Sequence, residues 1–332
     1  WMSYTNGDYR ESVRYFSELT SFVKGRRRDK YSYWEARTCE VLIEDSTAPE
    51  ANQITKDGIC PEKNEDSNAY GRISAGMGYY NFLAKIHLGE LETSDKIKTA
   101  RPVIPVGKMY ERIEMLKFLG MDNETSEEIK NALKFDINHD EFSYLGYAAA
   151  DTGEYKSIIY FAERSRNREL LPFAYPLGFW NTVEEAAEIE GIDPYLVVAL
   201  IREESRFDTK AVSVAGAMGL MQLMPFTAHK IKEELEITLK DDDEIYDVRK
   251  NIFMGTHYLS LLMGEFKEIH LAVAAYNAGE YTVRKWVLNS KHESMEEFIE
   301  DIPYRETRRY VKRVLRSYWQ YRSMNGLPVK GY

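Results

Sequence analysis

Residues 193–206 read Asp193-Pro194-Tyr195-Leu196-Val197-Val198-Ala199-Leu200-Ile201-Arg202-Glu203-Glu204-Ser205-Arg206. Asp at the start can accept hydrogen bonds from the free amides of a helix, and Pro is preset for the first helical position. From Tyr195 to Ile201 nearly every side is apolar, so this helix is expected inside a core and needs other helices around it. The flanking sequence supplies them. Amphipathic periodicity predicts helices over about 8–24, 30–44, 71–88, 107–119, 125–134, 140–151, 154–165, 179–190, 225–235, 248–266, 270–278, 281–289, 294–299 and 304–323, with 194–206 among them. Alternating β-branched runs bounded by turns are missing, and the ten prolines fall mainly outside the periodic segments. The fold class expected is all-α.

The end of the 194–206 helix carries the first chemical signal. A carboxylate in the last turn of a buried helix meets desolvation and the negative end of the helix dipole, and both favour its protonated form. That is the environment of a general acid, although a Glu near a helix end is more commonly solvated or paired with Arg. Ala215-Gly216-Ala217-Met218-Gly219-Leu220-Met221-Gln222-Leu223-Met224-Pro225 follows. Its glycines allow close backbone approach, its Met side chains can line a groove, and Gln222 offers a donor and an acceptor; a Met-rich core turn is the plainer alternative. His270-Leu-Ala-Val-Ala-Ala-Tyr276-Asn277-Ala278-Gly279 is a small-residue helix with an Asn-Ala-Gly end, near which Tyr276 presents a hydroxyl.

At 332 residues the chain is long for one core, and two domains are expected. Hydrophobic residues at 44% and charged residues at 30% fit a folded protein, and a net charge of -10 argues against nucleic acid as a partner. The 24 Tyr and 5 Trp suit half-buried positions with one apolar face and one polar tip. Cys39 and Cys60 can pair across a short loop in an oxidising compartment, or stand as two buried thiols. No apolar run of membrane-spanning length occurs, and the opening Trp-Met-Ser has neither a basic start nor an apolar stretch, so a cytosolic protein or a mature, trimmed form is expected.

In the first half, Gly7-Asp8-Tyr9 before one helix resembles Gly153-Glu154-Tyr155 before another, as in stacked helical hairpins. Residues 45–70 read as an excursion between two such helices. Leu171-Pro172-Phe173-Ala174-Tyr175-Pro176-Leu177-Gly178 reads as a link, which sets the expected domains at 1–175 and 176–332.

Taken together, Glu204-Ser205, Gly219-Leu220-Met221-Gln222 with Met224-Pro225, Ala275-Tyr276-Asn277-Ala278-Gly279 and Ile302-Pro303-Tyr304-Arg305-Glu306-Thr307-Arg308-Arg309-Tyr310-Val311 resemble, in order and approximate spacing, the soluble lytic murein transglycosylase family. The resemblance covers roughly residues 180–325. It implies a lysozyme-like, mostly helical catalytic domain, similar to goose-type lysozyme, behind an N-terminal helical-hairpin superhelix. It further implies cleavage of the β-1,4 bond between N-acetylmuramic acid and N-acetylglucosamine in peptidoglycan. Glu204 is then the single catalytic carboxylate, acting first as acid and then as base while the muramic acid's C6 hydroxyl closes a 1,6-anhydro ring. By the same resemblance Ser205, Gln222, Met224 and Asn277 hold the glycan, Tyr276 bonds the catalytic Glu, and Glu306 and Tyr310 lie near the groove, Glu306 toward the peptide stem. No cofactor and no metal are implied. The expected partners are glycan strands, peptide stems and other cell-wall enzymes, and the expected place is the periplasm, with an export signal removed. A hydrolytic muramidase and a non-catalytic glycan-binding scaffold are the alternatives.

Glu203 stands where many relatives carry Gln, and is expected to pair with Arg202 or Arg206. Glu280-Tyr281 replaces a common Pro-Gly and affects only the shape of that turn. Asp208 reads as a turn residue rather than a second catalytic carboxylate, and Asp241-Asp242-Asp243-Glu244 as a solvated loop. Asp136, Asn138 and Asp140 imitate a calcium loop but lack its Gly and its closing Glu, so a polar turn into the next helix is expected. The six histidines show no ligand spacing, and Lys24-Gly25-Arg26-Arg27-Arg28 reads as a solvated helix end.

Overall fold

The computed structural model describes residues 1–47, 53–58, 60, 66–90, 102–165, 167–292 and 294–329, of which 66–69 as backbone only. Residues 48–52, 59 and 61–65 of the expected 45–70 excursion lie outside the described residues. Two compact units emerge, one of residues 1–93 with 327–331 and one of residues 94–326 with 332. Among the described residues there is no strand, only isolated antiparallel bridges from Met218 to Val212 and to Leu223.

In the first unit, α1 (Met2–Thr5), α2 (Tyr9–Phe22), α3 (Arg26–Glu44), α4 (Asp66–Ser74) and α5 (Tyr79–His87) pack as neighbours. One apolar cluster joins Val13, Leu42, Ile43 and Ile54 to Cys39 and Cys60, which form a disulfide with Cα atoms 5.6 Å apart. A second cluster is aromatic. Trp34 meets Trp1 and Tyr4 at ring separations of 4.6 and 5.3 Å, and the Tyr33 hydroxyl lies 2.9 Å from Nε2 of His87. The abundance of Tyr in this half is therefore packing between helices. The expected 71–88 helix is two helices. Gly76 and Gly78 interrupt it, and Oδ1 of Asn81 accepts from the Gly78 amide at 2.7 Å while its Nδ2 donates to the Ile73 carbonyl.

The second unit opens with α6 (Lys108–Phe118), α7 (Asp122–Ala132), α8 (His139–Thr152) and α9 (Tyr155–Ser165), each packed on the next. Asn138 caps α8 reciprocally with Glu141, the two side-chain to backbone bonds being 3.0 and 2.8 Å, so the calcium-like residues are a helix start. Gly153 takes φ 77° before α9 as Gly7 takes φ 83° before α2, which gives the sequence likeness a shared turn. A 3-10 turn, Arg168–Leu170, and the short α10 (Leu171–Ala174) lead on to α11 (Trp180–Glu190) and α12 (Pro194–Ser205). Then come α13 (Pro225–Glu234), α14 (Val248–Phe266), α15 (Ile269–Ala278), α16 (Glu280–Asn289), α17 (Met295–Asp301) and α18 (Arg305–Met324).

Leu196 to Ile201 of α12 are all at most 1% exposed, and α12 packs against α11 and α18. The Asp193 carboxylate accepts from the Tyr195 amide at 2.9 Å, and its other oxygen accepts from the Tyr318 hydroxyl at 2.9 Å and pairs with Arg322. The division between units falls at 93/94, whereas the link around residue 175 is inside the second unit. Its Pro and aromatic residues are packing material. The Arg202 guanidinium lies 4.2 Å from the Tyr175 ring centroid and donates to the Ala174 carbonyl at 2.8 Å, and Tyr321 donates to the Pro176 carbonyl at 2.9 Å.

Candidate active site

α12 ends abruptly. Arg206 and Phe207 both take positive φ, 54° and 64°, and Phe207 is fully buried. The Ser205 hydroxyl donates to the Ile201 carbonyl at 3.1 Å and accepts from the Phe207 amide at 3.1 Å, so it closes this turn. Asp208 follows as an Asx turn, accepting from the Lys210 amide at 3.0 Å and pairing with Lys156 at 2.9 Å.

Glu204 is left in the last turn, half-buried, with Oε1 accepting from the Tyr310 hydroxyl of α18 at 2.5 Å. Burial pushes its carboxyl up to about 7, against the lowering effects of the Tyr310 hydrogen bond and Arg313 and with further raising by Glu203 and Glu306. Tyr276, expected to bond this carboxyl, instead donates to the Met221 carbonyl at 2.9 Å. Both phenols are held well above their ordinary range, first by burial and then by the Glu204 charge, so they act as donors.

The neighbouring Glu203 has the opposite chemistry. Burial disfavours its charge, but Arg202, Arg316, Ser317 and Arg313 together hold it below the usual carboxylate range. Its oxygens lie 2.5 Å from Arg202, 2.6 Å from the Ser317 hydroxyl, 3.2 Å from Arg313 and 3.6 Å from Arg316. Arg206 turns away to Glu163 at 3.1 Å.

The segment 211–224 is fixed from beneath. Asn251, fully buried on α14, accepts from the Met221 amide at 2.7 Å and donates to the carbonyls of Met218 and Ile245 at 3.0 and 2.8 Å. Gly219 takes φ 77° so close to Asn251 that a Cβ would stand 2.5 Å from Nδ2. Gln222, itself at φ 48°, donates its amide to the carbonyls of Ala211 and Gly219 at 3.1 and 2.8 Å. Gln222, Met224, Phe226, Tyr276 and Asn277 line one cleft of about 300 Å³. The Asn277 side-chain oxygen Oδ1 accepts from the Thr307 hydroxyl at 2.7 Å. Glu306 is exposed on α18.

Of the expected residues, Glu204 and Tyr310 are thus in direct contact, Gln222, Met224, Tyr276 and Asn277 share a cleft, and Ser205 faces its own backbone. Glu203 pairs with Arg202 as expected, whereas Asn251 and the α18 arginines Arg313 and Arg316 were not foreseen; a polar Asn amid the apolar positions of α14 was the available signal for the first. A larger cleft of about 910 Å³, between α7, α9 and residues 206–209, has its cations already matched, Lys130 to Glu154 at 3.1 Å and Lys156 to Asp208 at 2.9 Å. Glu244 of the acidic run pairs with Lys250 at 2.6 Å. Among the described residues no group of three or more His, Cys, Asp or Glu side chains is arranged to hold a metal ion, and no helix is long and apolar enough to cross a membrane.

Residues 181–299 match the family model described as "Transglycosylase SLT domain". The chain is 26% identical over 328 residues to the soluble lytic murein transglycosylase of Escherichia coli, covering 96% of this chain and 48% of that protein. It is 33% identical to the putative soluble lytic murein transglycosylase of Haemophilus influenzae, covering 90% of this chain and 48% of that one. The crystal structure of the 70 kDa soluble lytic transglycosylase from Escherichia coli superposes with a TM-score of 0.74 at 25% identity, over 97% of this chain and 51% of that chain. The chain therefore spans about half the length of the relatives it matches. Residues 181–299 match the transglycosylase SLT domain model, in a chain whose described elements are helical and that is similar to the soluble lytic murein transglycosylases over nearly its whole length.

Proposed function

We propose that this chain is a peptidoglycan lytic transglycosylase that cleaves the N-acetylmuramic acid β-1,4 N-acetylglucosamine bond with Glu204 as its one acid and base. The observation that carries the reading is the Glu204 carboxyl, half-buried, held by Tyr310 at 2.5 Å and shifted up to about 7. A carboxyl with that proton affinity can give and retake a proton at neutral pH.

In this reading Glu204 gives its proton to the glycosidic oxygen as the bond to C1 breaks. The resulting carboxylate then takes the proton of the muramic acid's C6 hydroxyl while that oxygen bonds to C1. The 1,6-anhydro ring forms and no water is consumed. Tyr310 occupies one carboxyl oxygen and leaves the other to the substrate. Gln222, Met224 and Asn277 line the glycan cleft, Tyr276 fixes the Met221 carbonyl beside it, and exposed Glu306 meets the peptide stem. Ser205 shapes the turn that presents Glu204 rather than touching sugar. A second catalytic carboxylate is not needed, since Glu203 is bound among arginines. Residues 176–332 carry the chemistry and 1–175 the helical array. The substrate places the protein in the periplasm, with glycan strands and peptide stems as its partners; other cell-wall enzymes stay an expectation of the family resemblance.

Mass spectrometry of muropeptides released from purified cell walls tests this. Anhydro ends are expected from the wild type, with release lost in Glu204→Gln. Products with reducing ends alone would show water as the attacking group and overturn the transglycosylase reading in favour of a muramidase. Equal clearing of the wall suspension by both proteins would remove Glu204 from the chemistry.

A further inference from the structure

Glu203 is a buried carboxylate that the proposed chemistry does not use, and its surroundings are unusually cationic. Arg202, Arg313 and Arg316 all point at it, and the Ser317 hydroxyl donates to the same oxygen that meets Arg202. Arg202 is also bound to Glu163 of α9 at 2.6 Å. With Arg206 on the same Glu163, two carboxylates face four guanidinium groups, leaving a surplus of two positive charges. Tyr310, Arg313 and Ser317 fall at positions i, i+3 and i+7 of α18, so one helix face presents both the Glu203 clamp and the hydroxyl that holds Glu204. The Arg313 guanidinium lies 5.9 Å from the Tyr310 ring centroid.

We infer that Glu203 is a positioning residue for the Glu204 site, locking the end of α12 to α18 and holding Arg313 in an ion pair that offsets part of its charge at the Glu204 carboxyl. This rests on the reading of Glu204 as the acid. The charged and titratable groups facing Glu204 are Glu203 on its own helix, Tyr310, Arg313 and Glu306 on α18 and Tyr276 on α15, while the 219–222 turn contributes the uncharged Met221 carbonyl. Among these Arg313 favours the ionised form of Glu204, and Glu203 favours the protonated one. With Glu203 made neutral, the surplus beside Glu204 grows by one positive charge. With Arg313 removed it falls by one.

The test compares Glu203→Gln, Arg313→Met and the double variant, each with and without Glu204→Gln. Thermal midpoints across about pH 4 to 9 show where the stability difference due to the Glu204 carboxyl turns on, a reading that needs no catalysis. Relative to the parent, that pH is expected to move down by about half a unit or more in Glu203→Gln and up by a similar amount in Arg313→Met, with the double variant between them. The alkaline limb of muropeptide release moves in the same directions. A general packing defect would not shift the two single variants oppositely. Unmoved or like-signed shifts overturn the inference. Should Glu203→Gln not fold, Arg313→Met decides alone, since Arg313 is 46% exposed: an upward shift supports the inference and an unchanged pH overturns it. Opposite shifts in a protein that releases no muropeptides would leave the positioning role standing and sink the lytic reading instead.

Discussion

In the proposed reaction Glu204 has to be protonated near neutral pH and yet remain ionisable, and two opposing influences meet on its carboxyl. Burial raises it, and the Tyr310 hydroxyl, which bonds the anion best, lowers it. Its folded value of about 7 lies above the ordinary 4.5, so the folded state binds this proton more tightly than the unfolded chain. Below the lower value both states are protonated and nothing is lost. Between the two values stability falls as pH rises, and above the higher one the full penalty is present. Tyr310→Phe removes the lowering influence. The alkaline limb of activity should move above about 7, and activity at neutral pH should drop by about 10- to 100-fold, because in the proposed reaction the anion that takes the C6 proton would lose its donor. A pH–rate profile checks both; an unmoved limb would mean that the 2.5 Å contact does not hold the anion. The buried helix announced where its last turn lies, and the family resemblance singled out Glu204 there over Glu203. The partner of Glu204 was not legible from sequence. Tyr276 and Tyr310 both carry suitable hydroxyls, and only packing decides that the donor comes from 106 positions away while Tyr276 reaches the Met221 carbonyl. Ser205 was legible as part of a motif, but its hydroxyl is satisfied by its own helix end.

Helices could be read wherever one face is apolar and the ends are punctuated. The expected 248–266 coincides with Val248–Phe266, and Asp193-Pro194 starts α12 as anticipated. What the pattern missed was decided by single side chains. Asn81 captures the chain at Gly76-Met77-Gly78 and splits one expected helix into α4 and α5, and Pro172, read as a link, sits in the first turn of α10 where a missing N–H does no harm. The 211–224 segment has almost no regular structure, so its shape rests on Asn251 and on glycine where the backbone needs it. Gly219→Ala puts a methyl against Nδ2 of Asn251 at a positive φ. We expect it to cost about 2 kcal/mol or more, and to lower activity further than stability, since the Met221 carbonyl that Tyr276 bonds is carried by the same turn. Denaturant unfolding beside a rate measurement separates the two effects. A loss of stability with unchanged turnover would detach the turn from catalysis.

Chemistry and covalent reinforcement fall in different compact units. Glu204, Tyr310 and the cleft residues belong to 94–326, whereas Cys39 and Cys60 belong to 1–93 with 327–331. The bond closes a loop with a sequence separation of 21, and such a crosslink restricts the unfolded chain by about 3 kcal/mol. It is also surrounded by Val13, Leu42, Ile43 and Ile54, so losing it exposes part of a packed apolar cluster. Replacing both cysteines by serine, as Cys39→Ser with Cys60→Ser, adds two hydroxyls to that cluster and should deepen the loss. The disulfide and these apolar neighbours belong to the first unit, whereas Glu204, Tyr276, Tyr310 and the arginines around Glu203 belong to the second. The double variant should therefore unfold at lower temperature and at lower denaturant concentration, while its pH–rate profile at low temperature keeps the wild-type alkaline limb near 7 and its turnover stays within about twofold. Calorimetry and the rate profile on the same preparation check the pair of outcomes. A displaced limb would show that the first unit's packing reaches the proton affinity of Glu204, and the catalytic unit could then no longer be treated as electrostatically self-sufficient.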